Sequence, residues 1–195
     1  MSLRIEPLTG ANIAPIMDGL AELRIRVFQD WPYLYDGDLD YERGYLQAYC
    51  DNPHAIVAAA FDGTQLVGAS TGLPLHDADA EFARAFDQTP HDIESIFYCA
   101  ESVLLPEYRG KGAGHRFFDL REDHARALGY AKTAFCSVVR PASHPARPLD
   151  YQPLDAFWRA RGYAAQDGVV AQFRWRDIGA QDDSEKPLQF WMRTL

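Results

Sequence analysis

The chain carries 28 acidic and 19 basic residues among 195, a formal charge of −9, with 47% hydrophobic and 24% charged residues, which suits a folded globular protein and excludes a disordered one. The acid surplus and a pI near 5.0 speak against a nucleic-acid binder that works by neutralising phosphates. The longest apolar run, residues 55–61, is far short of the about 20 residues that cross a bilayer, so neither nucleic acid nor membrane is an expected partner.

Residues 1–195 read as one domain, since no repeat, low-complexity segment or linker divides them and a chain of this length builds a single core. Leu3, Ile5 and Pro7 alternate with polar residues as a short first strand. Over 11–28, Ile13, Ile16, Met17, Leu20, Leu23 and Val27 recur at helical spacing. An aromatic loop, 30–37, precedes a second helix over 40–50, which Asp51-Asn52-Pro53 ends. Strands over 54–61 and 65–74 are joined by the hairpin signal Asp62-Gly63-Thr64, and 78–88 reads as a short helix before Pro90. Residues 93–105 predict one long buried strand. A helix follows, with Phe117, Phe118, Arg121, Ala125 and Leu128 on one face and a stop at Gly129. A strand over 133–139, a Pro-rich loop to 153, a helix over 154–161 and strands over 169–175 and 188–192 complete the chain. The order βααββ(α)βαβαββ predicts an α/β fold, a mixed sheet of about seven strands with helices on both faces.

Between the long strand and its helix lies Arg109-Gly110-Lys111-Gly112-Ala113-Gly114. The first turn of a helix has unpaired N–H groups and about half a positive charge. Glycines let a phosphate approach those amides, and Arg109 and Lys111 add positive charge. This is a site for a pyrophosphate. No Ser or Thr follows a suitably placed lysine, so it is no Walker loop. The Gly-x-Gly-x-x-Gly dinucleotide fingerprint fails too, because the third position counted from Gly112 is Phe117.

What fits is Arg/Gln-x-x-Gly-x-Gly/Ala, led in by Pro106-Glu107-Tyr108-Arg109-Gly110, and this resembles the acyl-CoA-binding motif of the GNAT N-acyltransferase superfamily. Phe157-Trp158 followed by Gly162-Tyr163 is similar to that family's second signature, and the element order agrees over nearly the whole chain. The resemblance implies a GNAT-like fold and acetyl-CoA, or another acyl-CoA, as cosubstrate. It further implies that amides of Val103 and Leu105 pair with the pantetheine arm, and that amides from Lys111 to Gly114 hold the pyrophosphate. Cofactor-binding candidates are therefore Val103, Leu104, Leu105, Arg109, Gly110, Lys111, Gly112, Ala113 and Gly114.

Acyl transfer to an amine needs that amine neutral, although a lysine-like group of pKa about 10.4 is mostly protonated at pH 7. A base contributes about 10²–10⁴-fold. Glu101 is an acid amid the apolar residues of the central strand, and desolvation there should raise its pKa. The other reading of Glu101 is a structural carboxylate bound to an arginine or tyrosine. Where many relatives carry a tyrosine to protonate the thiolate, this chain has Trp158. A thiol of pKa about 8.5 leaves tolerably without help, and Tyr151, or less readily Tyr163, could substitute, unless both simply fill space. A backbone N–H of Val103 or Leu104 would hold the oxyanion.

Two loops are candidate walls for the acceptor. In the first, Tyr33, Tyr35 and Asp36, with Asp38 and Asp40, would draw a cationic amine, or the acids form a solvated face. In the second, Arg140, His144 and Arg147 would grip a carboxylate or phosphate. The two predict opposite substrate charge. Cys50, Cys99 and Cys136 lack disulfide or zinc spacing, His115 and His124 lack metal spacing, and Cys136 reads as a core thiol rather than a nucleophile. No metal is expected. An acid in Met1-Ser2-Leu3-Arg4-Ile5-Glu6, where a secretion signal is apolar, predicts a reduced cytoplasmic protein.

With no activated Ser or Cys visible, direct acetyl transfer to a primary amine is expected, on a small molecule in preference to a protein. A non-catalytic acyl-CoA sensor or interaction module is the alternative, kept open by Trp158. Edge strands near the C-terminus leave room for a homodimer.

Overall fold

The computed structural model describes residues 3–195, so the first two residues of the N-terminal segment lie outside the described residues. In chain order the elements are β1 (Arg4–Leu8), two 3₁₀ turns, α1 (Met17–Phe28), α2 (Leu39–Asp51), β2 (Ile56–Asp62), β3 (Gln65–Pro74), α3 (Ala80–Arg84), β4 (Ile96–Tyr98), β5 (Ser102–Leu104), α4 (Ala113–Ala127), β6 (Lys132–Val138), α5 (Asp155–Ala160), β7 (Ala164–Trp175) and β8 (Ser184–Thr194). The first helix starts later than its apolar spacing suggests. Pro15 has no N–H to give and is tolerated only in a first turn, so residues 14–16 form a 3₁₀ turn and α1 begins at Met17.

The strands form one mixed sheet in the order β1-β2-β3-β4-β6-β8-β7, with β5 paired to β3 beside that path. Asp62 pairs with Gln65 across the expected β2–β3 turn, and Gly63 takes the positive φ of +60° that the turn requires. β4 runs parallel to β6, while β6–β8 and β8–β7 are antiparallel. Among the described residues there are eight strands rather than seven, because the segment 93–105 is two strands, β4 and β5. β7 also begins five residues earlier than its apolar run, with a register shift between Ala165 and Val170.

Strand alternation sorts the core into two faces. Phe97, Cys99, Phe135 and Trp191 pack beneath α4 and α5 with Phe118, Phe157 and Trp158. Their neighbours Tyr98, Ala134, Cys136 and Phe190 turn to the opposite face, toward α1, α2 and α3. Phe82 of α3 stacks there on Phe173 of β7 at 5.1 Å and meets Tyr98 at 4.8 Å. Among the described residues, no helix is long and apolar enough to cross a membrane.

Candidate active site

The central segment breaks at a bulge. Ala100 N–H donates to the Thr71 carbonyl at 3.1 Å, and Thr71 N–H donates to the Glu101 carbonyl at 3.0 Å, so two residues oppose one. Phe97 and Cys99 lie on the α4 face, and unbroken alternation would send Glu101 there too. The bulge re-aims it. Its carboxylate forms an ion pair with Arg24 of α1 and accepts a hydrogen bond from Tyr45 of α2 at 3.2 Å. From the α4 side the buried Arg121 donates through Nη1 to the Thr71 carbonyl at 3.2 Å and the Glu101 carbonyl at 3.3 Å. Cys99 N–H makes a last bond to the Ala134 carbonyl of β6 at 2.7 Å. Past it, among the described residues, β5 has β3 as its one strand partner, and a gap opens between β5 and β6.

Antiparallel alternation decides which β5 amides face that gap. Leu105 N–H donates to the Val67 carbonyl at 3.0 Å, and Val103, opposite Ala69, points the same way. The expected pairing of Val103 and Leu105 with a ligand is thus corrected: their amides belong to β3, and those of Ser102 and Leu104 face the gap. The Leu104 carbonyl on this side accepts from Arg109 Nε at 3.0 Å.

At the end of β5 the glycine loop behaves as its composition requires. Gly110 and Gly112 have φ of +73° and +85°, which glycine adopts without strain. Gly112 caps α4 with no side-chain partner, and the first helical bond is Arg116 N–H to the Gly112 carbonyl at 3.2 Å. The amides of Ala113, Gly114 and His115 are left without helical acceptors, at the positive end of the helix dipole. Lys111, Gly112, Ala113 and Arg116 line a cavity of about 450 Å³, with Tyr108 and Asp62 across it. Lys111 Nζ folds onto the Glu107 carbonyl at 2.9 Å. The residues present fit an anionic pyrophosphate.

On the opposite face of the sheet, a cavity of about 320 Å³ opens between α1, α2, loop 30–36 and β7, lined by Tyr33, Tyr35, Asp36 and Glu101 among others. Arg24 lies at its floor, paired with both Glu101 and Glu42. Burial opposes the Arg24 charge, but Glu101, Tyr45 and Glu42 outweigh it and hold its pKa well above the ordinary value. Burial, with Cys136 and Glu101 nearby, also pushes the Tyr33 phenol well up, so it keeps its proton. The Cys136 thiol is pushed up to about 12 by burial and touches the Tyr98 hydroxyl at 3.1 Å. That environment makes it a poor nucleophile.

In the second loop, Arg140 is already engaged. Arg140 makes a bidentate pair with Asp177 at 2.7 and 2.8 Å and donates to the carbonyls of Pro32 at 2.9 Å and Tyr33 at 2.7 Å. It braces the first loop from behind. His144 lies against Trp31 at 5.1 Å, Tyr151 meets the same indole edge-on at 5.9 Å, and Arg147 sits over Tyr151 at 5.2 Å. Arg140, His144, Arg147 and Tyr151 all lie outside the residues lining the cavity. Trp158 packs against Phe135 and Trp191 on the α4 and α5 face. The first-loop acids have partners: Asp36 binds Arg176 at 2.7 Å, Asp38 caps α2 through Tyr41 N–H at 2.8 Å, and Asp40 lies 3.3 Å from Arg43. Sequence reasoning missed Arg24, Glu42, Tyr45 and Arg116. The available signal was charge in apolar stripes, Arg24 beside Leu20 and Leu23, and Glu42 four residues before Leu46. Among the described residues, no set of three His, Cys, Asp or Glu converges on a metal position.

An open mixed sheet, split by a bulge between a bare helix N-terminus and a carboxylate-bearing cavity, is the N-acyltransferase fold. The chain belongs to the acetyltransferase (GNAT) family, whose sequence profile matches residues 20–149. Solved structures agree in fold. An N-acetyltransferase from Staphylococcus aureus Mu50 matches at 12% identity and TM-score 0.61, covering 100% of this chain and 99% of that one. The paia N-acetyltransferase from Thermoplasma acidophilum, in complex with coenzyme A, matches at 13% and 0.57 over all of both chains. A phosphinothricin acetyltransferase from Sinorhizobium meliloti, in complex with AcCoA, matches at 15% and 0.57, covering 100% of this chain and 89% of that one. None of the curated proteins compared matches the chain in sequence.

Proposed function

We propose that this chain is a cytoplasmic, single-domain N-acetyltransferase that moves an acetyl group from acetyl-CoA directly to the primary amine of a small molecule. One observation carries the reading. β5 lies between Glu101 in the acidic cavity and the unpaired amides at the start of α4, so an amine site and an anion site stand at the two ends of one strand. The coenzyme supplies an activated acyl group, and the chain's own residues hold and orient the reactants. Ala113, Gly114 and His115 amides, with Lys111 and Arg116, take the pyrophosphate. Ser102 and Leu104 amides take the pantetheine arm and the acyl group that it carries. This agrees with the coenzyme A and AcCoA seen in the two related structures.

Glu101 accepts the proton that the amine loses, and Arg24 and Tyr45 fix its carboxylate. Tyr33 takes the donor role expected of Tyr151, because Tyr33 lines the cavity. As a phenol that retains its proton it stabilises the leaving sulfur by a hydrogen bond rather than by proton transfer. β7, at the end of the sheet, offers an edge on which two copies would pair. A non-catalytic acyl-CoA sensor, the second reading, draws on Trp158. Release of thiol from acetyl-CoA on adding a panel of primary amines tests the proposal. Binding without thiol release for any amine favours the sensor.

A further inference from the structure

We propose that the acceptor is a primary amine carried on a flat apolar body free of acidic groups; this rests on the acetyltransferase reading. One guanidinium, Arg24, faces two carboxylates, Glu42 and Glu101. The Glu42 side chain is 1% exposed; Arg24 Nε donates to its Oε2, and the Tyr35 phenol lies beside it.

The other cations lining the cavity are already matched. Arg176 binds Asp36 at 2.7 Å. Arg174 donates to the Asp183 carbonyl at 3.3 Å and lies 4.0 Å from Glu185. With Asp38 and Asp183 the lining holds five carboxylates against three guanidiniums, so it has room for positive charge and none for an anion. An acceptor bearing a carboxylate or phosphate beside its amine would meet unmatched negative charge.

The walls give the body of the acceptor. Phe28, Tyr33, Tyr45, Phe82, Phe173 and Trp175 surround the space, and their faces suit both a flat ring and a nearby ammonium. A cavity of about 320 Å³ lies at the small end of ligand pockets, which favours a single ring with a short amine arm. In the reaction the amine nitrogen forms a bond to the acyl carbon as the carbon–sulfur bond breaks. Of the two protons the ammonium gives up, one ends on the thiol and the other leaves through Glu101 to solvent.

The probes are 2-phenylethylamine, phenylalanine, which adds a carboxylate, and spermidine, which lacks the ring. Each is measured with the wild-type protein by acetyl-CoA-dependent thiol release and by calorimetry in the presence of CoA. Expected is a kcat/KM for 2-phenylethylamine about tenfold or more above both others, equivalent to about 1.4 kcal/mol. Glu42→Gln should raise the KM for 2-phenylethylamine about tenfold or more with unchanged acetyl-CoA affinity, which also reports that the variant is folded. Equal or faster turnover of phenylalanine or spermidine overturns the inference. So does acetyl-CoA binding with neither binding nor turnover of 2-phenylethylamine, and the cofactor reading then stands. Absence of acetyl-CoA binding overturns both.

Discussion

Arg121 Nη1 lies 3.3 Å from the Glu101 carbonyl, so a buried cation on α4 holds the backbone of the residue whose side chain faces the opposite side of the sheet. The same nitrogen reaches the Thr71 carbonyl at 3.2 Å, and its Nε donates to the Phe117 carbonyl at 3.3 Å. Arg121 thus ties the bulge to the helix whose first turn forms the anion site. Arg121→Met keeps the bulk and loses these bonds. It should lower stability by about 2–3 kcal/mol and weaken acetyl-CoA binding, as read by urea unfolding and calorimetry. Unchanged stability would show that the bulge needs no clamp.

Glu101→Gln separates base from structural carboxylate. If Glu101 accepts the amine proton, kcat/KM should fall mainly below about pH 8, where most of the amine arrives protonated, by about 10²-fold or more. A parallel loss across the whole pH profile would assign Glu101 only to holding Arg24.

Tyr33 and Tyr151 make opposite predictions. Tyr33→Phe should lower kcat about tenfold, the effect of one lost hydrogen bond to a charged atom, with little change in acetyl-CoA affinity. Tyr151→Phe should leave kcat within about twofold, because its ring lies against Trp31 outside the cavity. The reverse pattern, in pre-steady-state thiol release, would restore Tyr151 as the donor.

The glycine loop and the β2–β3 turn were legible because their causes are local. Gly110, Gly112 and Gly63 each adopt positive φ within a few residues of the feature they serve. The bulge was not legible. The segment 93–105 is apolar on both faces, so a change of register leaves no mark in its pattern. The ion-pair floor was hidden differently: Arg24, Glu42 and Glu101 come from three elements and meet only in the folded chain. Arg140 stands out in the sequence by its charge, and its partner Asp177 is 37 residues away, beyond the reach of spacing.

The Arg140–Asp177 pair predicts an acid-sensitive brace. Burial alone would raise the Asp177 pKa, but Arg140 and Lys186 outweigh it and hold the carboxyl below its ordinary value of 3.8. A depressed folded-state pKa contributes stability above 3.8 that is lost as pH falls through the folded value. Asp177→Asn should therefore cost stability at pH 7, about 1 kcal/mol or less because the pair is partly exposed. The difference from wild type should vanish in strong acid. A difference independent of pH, in thermal melts, would contradict the ion pair.

Calorimetric titration with acetyl-CoA, CoA and ATP, on wild type and Gly112→Asp, tests the central claim that the turn before α4 and the gap along β5 form a coenzyme site. The predicted result is micromolar binding of the two CoA species and not of ATP, weakened about tenfold or more by the aspartate, whose charge opposes the pyrophosphate. ATP binding as tightly as CoA, or CoA affinity unchanged in Gly112→Asp, would contradict it.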